Sequence, residues 1–341
     1  MQSWTGRHVL ITGVCGTVGR EILAQLLRAD PASVVGLDNN ESELFFLDQE
    51  IGAHEPRLSL FLGDVRHGPT LHRAMNGIDV VLHAAAFKHV YLCEQSPEEA
   101  VQTNILGVQA VIEAAEANGV ERVLFTSSDK AVNPTSVMGT SKLMGERLIT
   151  AADRRRRGAG PVFASTRFGN VLGSRGSVIP LFQRQIAAGG PVTLTDPGMT
   201  RFIMTLQEAV GLTLDSVFMA RGGEVFVTKM PVVRIEDLAR VMVEELSDGS
   251  VAIETVGMRP GEKLYEELLN DEEVRRADEL EHFLVIRPAV PPLGRAPDPD
   301  RTPGAVGPVT EAYNSANETP MSIEEIRVYL REHDLLTEGA S

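Results

Sequence analysis

An α/β fold built on a doubly wound parallel sheet, with a smaller C-terminal domain, is predicted by three observations. Short apolar runs of strand length recur through the first half of the chain, helical patterns separate them, and a glycine-rich turn follows the first run. Strands covered by helices on both faces read as near-continuous apolar segments. Residues 9–11, 34–37, 58–62, 80–82 and 123–125 have that character. Between the first two, Ile22, Leu23, Leu26 and Leu27 repeat at helical spacing. A later helix is expected to open at Ser96-Pro97-Glu98-Glu99, with an N-cap, a first-turn Pro and a Glu three residues after the cap. Val101, Ile105, Val108 and Ile112 would form its inner face, and Gly119 its stop.

After about residue 170 the alternation loosens. Residues 287–308 are rich in Pro and Gly without a period and read as an extended, mobile connection. A terminal helix follows over 322–333, with Ser322 and Glu325 as a capping box. The expected division is residues 1–170 for the first domain, with 203–230 returning to it, and 171–202 plus 231–341 for the second.

With 341 residues and 43% hydrophobic content, the chain can bury a large core as one domain or two coupled ones. A formal charge of −15 argues against nucleic acid or an anionic membrane as the main partner. The four arginines Arg154 to Arg157 read instead as a solvated helix end, where cations suit the dipole. Cys15 and Cys93 fit packing in a reducing compartment, and no metal is expected. Residues 1–7 lack an apolar signal region and no apolar run approaches the roughly 20 residues of a membrane helix, so a cytoplasmic location is expected.

The glycine-rich turn is Thr12-Gly13-Val14-Cys15-Gly16-Thr17-Val18-Gly19, between a strand and a helix. Its glycines allow a tight turn, close approach of backbone to a pyrophosphate and close helix–strand packing, and the helix N-terminus supplies amide donors. This is a Rossmann-type dinucleotide signature. Asp38 ends the second strand, where a carboxylate accepts from a ribose 2′-hydroxyl and repels a 2′-phosphate; Asn39 and Asn40 follow, so NAD is favoured over NADP. Asp64, before Val65, either meets the adenine or caps a turn. Ala84 and Ala85, after His83, are small enough for a cofactor to lie against the backbone.

Five motifs then occur in order: residues 12–19, 83–90, Thr126-Ser127-Ser128-Asp129-Lys130-Ala131-Val132-Asn133-Pro134 with Val137 to Lys142, Arg167 to Ser177, and Arg259-Pro260-Gly261-Glu262-Lys263. Over residues 7–270 the chain resembles the polysaccharide-biosynthesis branch of the extended short-chain dehydrogenases/reductases, the UDP-N-acetylglucosamine 4,6-dehydratases. Many members carry membrane helices ahead of this domain; a soluble short form is expected here. The resemblance implies transient C4 oxidation of a nucleotide-linked hexose by NAD, loss of water across C5 and C6, and hydride return to C6.

These enzymes usually place Tyr four residues before the active Lys142; here the position is Met138, as in the retaining subgroup of the family. The resemblance puts Asp129 as the acid for the C6 hydroxyl and Lys130, partly neutral through desolvation and nearby Lys142, as the base at C5. It puts Ser128 at the C4 oxygen and Lys142 at the nicotinamide ribose, where with a water or Asp129 it replaces the phenol. Asn170, Arg201 and Arg259 are expected near the diphosphate, Glu262 near the nucleotide ribose, and Lys88 near the sugar. His89 is as well explained by packing, and Tyr91 stands where relatives often have Pro. The alternatives are a 4-epimerase, a 5,6-dehydratase that returns hydride to C4, and a non-catalytic sensor of NAD or a nucleotide sugar. The helices after Ser96 and Val137 are expected to pair copies into a dimer or larger homo-oligomer.

Overall fold

The computed structural model describes residues 3–156, 160–173, 177–258, 261–291, 293 and 302–336. From the N-terminus, strand and helix alternate as β1 (His8–Thr12), α1 (Thr17–Arg28), β2 (Ser33–Asp38), α2 (Glu41–Leu47), β3 (Leu58–Leu62), α3 (Gly68–Ala74) and β4 (Val80–His83). Next come α4 (Val90–Gln95), α5 (Pro97–Ala100), α6 (Gly107–Asn118), β5 (Arg122–Thr126), α7 (Val137–Arg155) and β6 (Val162–Arg167). The strands lie in the order β3-β2-β1-β4-β5-β6 and pair in parallel. The order reverses between β1 and β4, so their C-terminal ends open the crevice where such sheets bind ligands.

Both faces are covered. Ile22, Leu23 and Leu26 of α1 pack on one side, and Leu71, Val108, Ile112 and Ile149 of α3, α6 and α7 on the other. This is the predicted doubly wound sheet.

The remaining elements are β7 (Asn170–Val171), α8 (Val178–Ala187), β8 (Val192–Leu194), β9 (Thr200–Met204), α9 (Leu206–Met219), β10 (Val225–Thr228), β11 (Val232–Arg234), α10 (Ile235–Leu246) and β12 (Ile253–Thr255). Then follow β13 (Glu267–Leu269), α11 (Asp271–Val274), β14 (Ala277–Glu279), β15 (Phe283–Ile286), β16 (Gly307–Pro308), β17 (Tyr313–Asn314) and α12 (Ile323–Glu332). α9 and β10 pack with the first body: Val210, Leu214 and Val217 join the α1 side, and β10 extends the sheet beside β6. The smaller body has its own core of Phe182, Leu194, Ile203, Leu238, Met242 and Leu330.

Three expectations change. Residues 277–286 and 307–308, expected in the smaller domain, continue the large sheet beyond β10 as antiparallel β15, β14 and β16. The physical reason is cover: β15 reads Phe-Leu-Val-Ile with every residue buried, and it seals the open edge of β10. Within the Pro/Gly-rich connection, Gly307–Pro308 is a paired edge strand, where Pro is tolerated. Residues 292 and 294–301 of that connection lie outside the described residues.

The helix after Ser96 is interrupted. Ser96 makes no side-chain cap bond, and between α5 and α6 the backbone widens into a π-helical turn over Val101–Leu106. The extra residue rotates the faces, so Val101 and Leu106 are exposed while Thr103 and Asn104 turn inward. Asn104 is fully bonded there: Oδ1 accepts from the Phe87 amide at 2.8 Å, and Nδ2 donates to Phe87 O at 3.0 Å and Ser141 Oγ at 2.9 Å. Val108 and Ile112 do face inward, and Gly119 stops the helix at φ 68°. The Ser322–Glu325 capping box is present. Arg154 and Arg155 sit in the last turn of α7, Arg156 bridges Asp153 at 3.1 Å, and Arg157 lies outside the described residues.

Candidate active site

At the switch point the chain leaves room for backbone alone. Gly13 has φ 74°, and a Cβ on it would stand 2.8 Å from Ala85 Cα. A Cβ on Gly19 would stand 2.1 Å from Gly13 O, and Gly16 caps α1. Above this cradle lies a cavity of about 350 Å³ whose walls include Gly13, Gly16, Asp38, Asp64, Val65 and Ala84 to Ala86. Thr17 opens α1, whose first turn holds no acid, and Val18 packs against the core, leaving backbone amides for an anion.

Asp38 Oδ2 accepts from the Cys15 amide at 2.9 Å and Oδ1 from the Asn40 amide at 3.0 Å, which fixes the carboxylate at the cavity wall. Asp64 is fixed by the turn that follows β3. It caps the turn to the Arg66 amide at 2.8 Å, and it lines the cavity. Hydrogen bonds from the Arg66 guanidinium hold its carboxyl below the usual range. The glycine cradle, the amide donors and the anchored Asp38 fit a dinucleotide.

At the ends of β1 and β4, beside the cradle, polar side chains are buried. His83 bonds Thr12 Oγ1 through Nδ1 at 2.7 Å, while its Nε2 is buried without a partner. Burial, then the charge of Lys142, pushes its imidazole down to about 3, so it stays neutral. Lys142 itself donates to Thr126 O at 2.9 Å and sits 4.7 Å from the centre of the Phe125 ring. Burial lowers its ammonium to about 8 against the opposing pull of Glu146.

Met138, one turn before Lys142 on α7, does not join this chemistry. It is 4% exposed and packs with Cys93 and Ala100. A thioether gains more from that apolar cluster than from the polar cavity, so its place among the expected catalytic residues becomes a packing role.

Beyond β5, a single 3₁₀ turn over Asp129–Ala131 presents the acid and the amine. Asp129 is fully buried; its Oδ1 accepts from Ser128 Oγ at 2.6 Å, Lys130 N at 2.8 Å and Lys130 Nζ at 3.1 Å, and its Oδ2 is buried without a partner. Lys130 Nζ also reaches Asn170 Oδ1 at 3.4 Å and Glu266 Oε1 at 3.4 Å. Burial alone would lower Lys130, but the charges of Asp129 and Glu266 outweigh it and hold the group as an ammonium. The expected partly neutral amine is therefore corrected: two carboxylates surround it.

A second cavity of about 370 Å³ adjoins this cluster and is lined by Lys88, His89, Lys130, Asn170, Glu262 and Glu266 among others. Arg201 also lines it, yet its fork faces the protein. Nη1 donates to Thr200 O at 2.7 Å and Leu264 O at 3.2 Å, Nη2 to Lys263 O at 2.8 Å, and Nε lies 3.7 Å from Glu266 Oε1. In place of a free fork aimed at a diphosphate, Arg201 ties the loop carbonyls of Lys263 and Leu264 to β9, the latter carbonyl also accepting from the Thr200 amide at 2.9 Å. Arg259 lies outside the described residues. Tyr91 is exposed on α4, where its hydroxyl accepts from Gln95.

Sequence reasoning missed Glu266 and the anchoring role of Ser315, whose amide donates to the Glu266 carbonyl and whose Oγ accepts from the Glu266 amide. Glu266 and Glu267 are adjacent carboxylates, and only tertiary packing shows that Glu266 turns inward. Among the described residues no cluster of His, Cys, Asp and Glu is arranged to hold a metal, and no helix is long and apolar enough to cross a membrane.

Residues 9–288 match a family model described as polysaccharide biosynthesis protein. An uncharacterized membrane protein of Methanocaldococcus jannaschii is 49% identical over 83% of this chain and 86% of its own length. A UDP-glucose 4-epimerase of Rickettsia massiliae is 38% identical over 97% of each chain. Among solved structures, Pen from Bacillus thuringiensis superimposes with a TM-score of 0.89 at 41% identity, covering 98% of this chain and 99% of that one. The dTDP-glucose 4,6-dehydratase DesIV from Streptomyces venezuelae, solved with NAD bound, gives 0.67 at 26% identity over 75% and 86%.

Proposed function

Because the chain belongs to the polysaccharide biosynthesis protein family, we propose that it is an NAD-dependent nucleotide-sugar 4,6-dehydratase whose substrate is UDP-N-acetylglucosamine. The observation that supports this reading is that Lys130, bonded to the buried Asp129, lines the second cavity, while the neighbouring residues Phe87 and Lys88 line the first and the second, so that a sugar in one would lie near a dinucleotide in the other. Gly13, Gly16 and the α1 amides would hold the pyrophosphate, Asp38 a ribose, and Lys142 the nicotinamide ribose. Bound NAD supplies reversible oxidation at C4, which makes the hydrogen on C5 acidic and leaves a hydride to be returned at C6.

The protein's part is the movement of protons. Ser128 Oγ, 2.6 Å from Asp129 Oδ1, passes the C4 hydroxyl proton to that carboxylate. Asp129 thereby takes over from the missing phenol and becomes the acid. Its proton leaves with the C6 hydroxyl as water. Lys130, once it has shed one proton of its ammonium, takes the C5 proton and later returns it to the same carbon.

Incubation with NAD and UDP-N-acetylglucosamine, followed by mass spectrometry and NMR, tests the reading. A product lighter by one water with a methyl group at C6 and a C4 ketone supports it. A 5,6-ene would instead mean hydride return to C4. A second reading, 4-epimerisation, is favoured by the full-length likeness to the rickettsial enzyme; it predicts a product of unchanged mass inverted at C4. Tight NAD and sugar-nucleotide binding without any product would indicate a sensor. On the dehydratase reading, Asp129→Asn lowers kcat by about 10²- to 10⁴-fold, read from the rate of ketone formation.

A further inference from the structure

Resting on that reading, the cluster around Lys130 contains one more group than the reaction so far uses. Lys130 can remove a proton from C5 only after losing one of its own, and Asp129 is already committed to the proton from C4. The other carboxylate touching Nζ is Glu266, at 3.4 Å. Its side chain is 4% exposed, and its Oε2 is buried without a hydrogen-bond partner. The residue is held on both sides: Ser315 Oγ accepts from its amide at 2.9 Å, its carbonyl accepts from the Ser315 amide at 2.8 Å, and Arg201 clamps the carbonyls of Lys263 and Leu264.

We propose that Glu266 is a positioning residue acting through Lys130: it accepts the proton that Lys130 sheds to become a base and gives it back when the cycle closes. The transfer is balanced. An N–H bond of the ammonium breaks, an O–H bond on Glu266 forms, and a charged pair becomes a neutral amine beside a neutral acid. Burial favours that neutral pair, because each charge costs more once the cavity excludes water. Every charged group facing Glu266 acts on this balance. Burial raises its pKa, with Asp129 reinforcing; Lys130, Arg201 and Lys263 oppose but do not cancel the rise. A raised carboxyl is closer in basicity to an amine, which eases the exchange.

Two measurements test this. In the first, kcat and KM for UDP-N-acetylglucosamine are followed against pH in the wild type, Glu266→Gln and Glu266→Asp. Glu266→Gln should lower kcat at least 100-fold near neutrality with KM changed less than threefold, and its kcat should climb about tenfold per pH unit as solvent takes over deprotonation of Lys130. Glu266→Asp should recover part of the loss with a flatter profile. A Glu266→Gln enzyme with wild-type kcat, or one whose loss is equal at every pH, overturns the proposal.

The second measurement needs no turnover. Infrared difference spectra between wild type and Glu266→Gln, taken across pH, isolate the carbonyl band of a protonated Glu266. Its midpoint should lie above that of an ordinary glutamate and rise further in Lys130→Met, which removes the opposing cation. A midpoint at or below the ordinary value, or one indifferent to Lys130→Met, overturns the proposal. If the protein converts no nucleotide sugar while the infrared midpoint behaves as stated, the proton-sharing pair stands and the dehydratase reading fails.

Discussion

Gly13 shows how much one hydrogen atom in place of a side chain decides. With φ 74° and Ala85 Cα only 2.8 Å from where a Cβ would sit, Gly13→Ala must push β1 and β4 apart at the mouth of the groove. The backbone strain alone is about 1–3 kcal/mol, and NAD affinity measured by calorimetry should fall at least tenfold. His83 gives a pH signature at the same scale. An unfolded histidine binds a proton below about 6.5, whereas buried His83 binds one only near 3, so the unfolded state carries more protons between these values. Stability is therefore lost as pH falls through that window. Urea titrations at pH 7 and pH 5 should show a drop larger by about 2 kcal/mol in the wild type than in His83→Asn. Of these residues, the glycines and Asp38 were legible in the sequence, since their duties follow from local backbone geometry. Arg201 and Glu266 were not. A guanidinium has the same five donors whether it faces a phosphate or three carbonyls, and only the fold chooses.

At the scale of elements, the C-terminal part is locked to the sheet by one buried arginine. Arg167, at the end of β6 and 1% exposed, pairs with Glu146 of α7 through Nε and Nη2 at 2.7 Å each, and with Glu273 of α11 through both Nη atoms at 2.8 Å. Nη1 also donates to Leu268 O at 3.0 Å, within β13 and two residues from Glu266. Arg167→Met leaves two buried carboxylates without their cation. It should cost about 3–5 kcal/mol of unfolding free energy, seen as a lower denaturant midpoint. Replacing all three charged residues by apolar ones of similar volume should cost far less. None of this pairing was visible from spacing, because its members are separated by 21 and 106 positions. The π-helical turn escaped for a related reason: Val101 and Ile105 obey helical spacing, but the hydrogen bonds of Asn104 to Phe87 and Ser141 pull a different residue inward. The strands β1 to β5, by contrast, fall where the apolar runs place them, since burial on both faces writes itself directly into composition.

For the molecule as a whole, the division into two bodies follows the path of the sheet and not the order of the chain. The sequence expectation ended the first body near residue 170 with one return, because alternation of strands and helices is the only signal of a parallel sheet that a sequence carries. Antiparallel strands added at the edge leave no such rhythm, so from sequence β14 to β16 read with the smaller body, although they pair in the large sheet. The consequence is testable by truncation. A chain ending at residue 270 would keep the glycine cradle, Asp38, the Asp129–Lys130 turn and Lys142. It would lose β15, which covers β10 through four register pairs, and Glu273, which completes the pairing of Arg167. Phe226 of β10 packs against Phe283 of β15 with ring centres 5.6 Å apart, so that apolar surface would meet water. Such a truncated protein should bind a hydrophobic dye and unfold without a cooperative transition. The full chain should give a single sharp transition whose midpoint rises with added NAD, as expected of a ligand bound only by the folded state. A truncated protein that unfolds sharply and binds NAD as well as the full chain would show that the added strands are an accessory to the nucleotide-binding half and not a part of its stability.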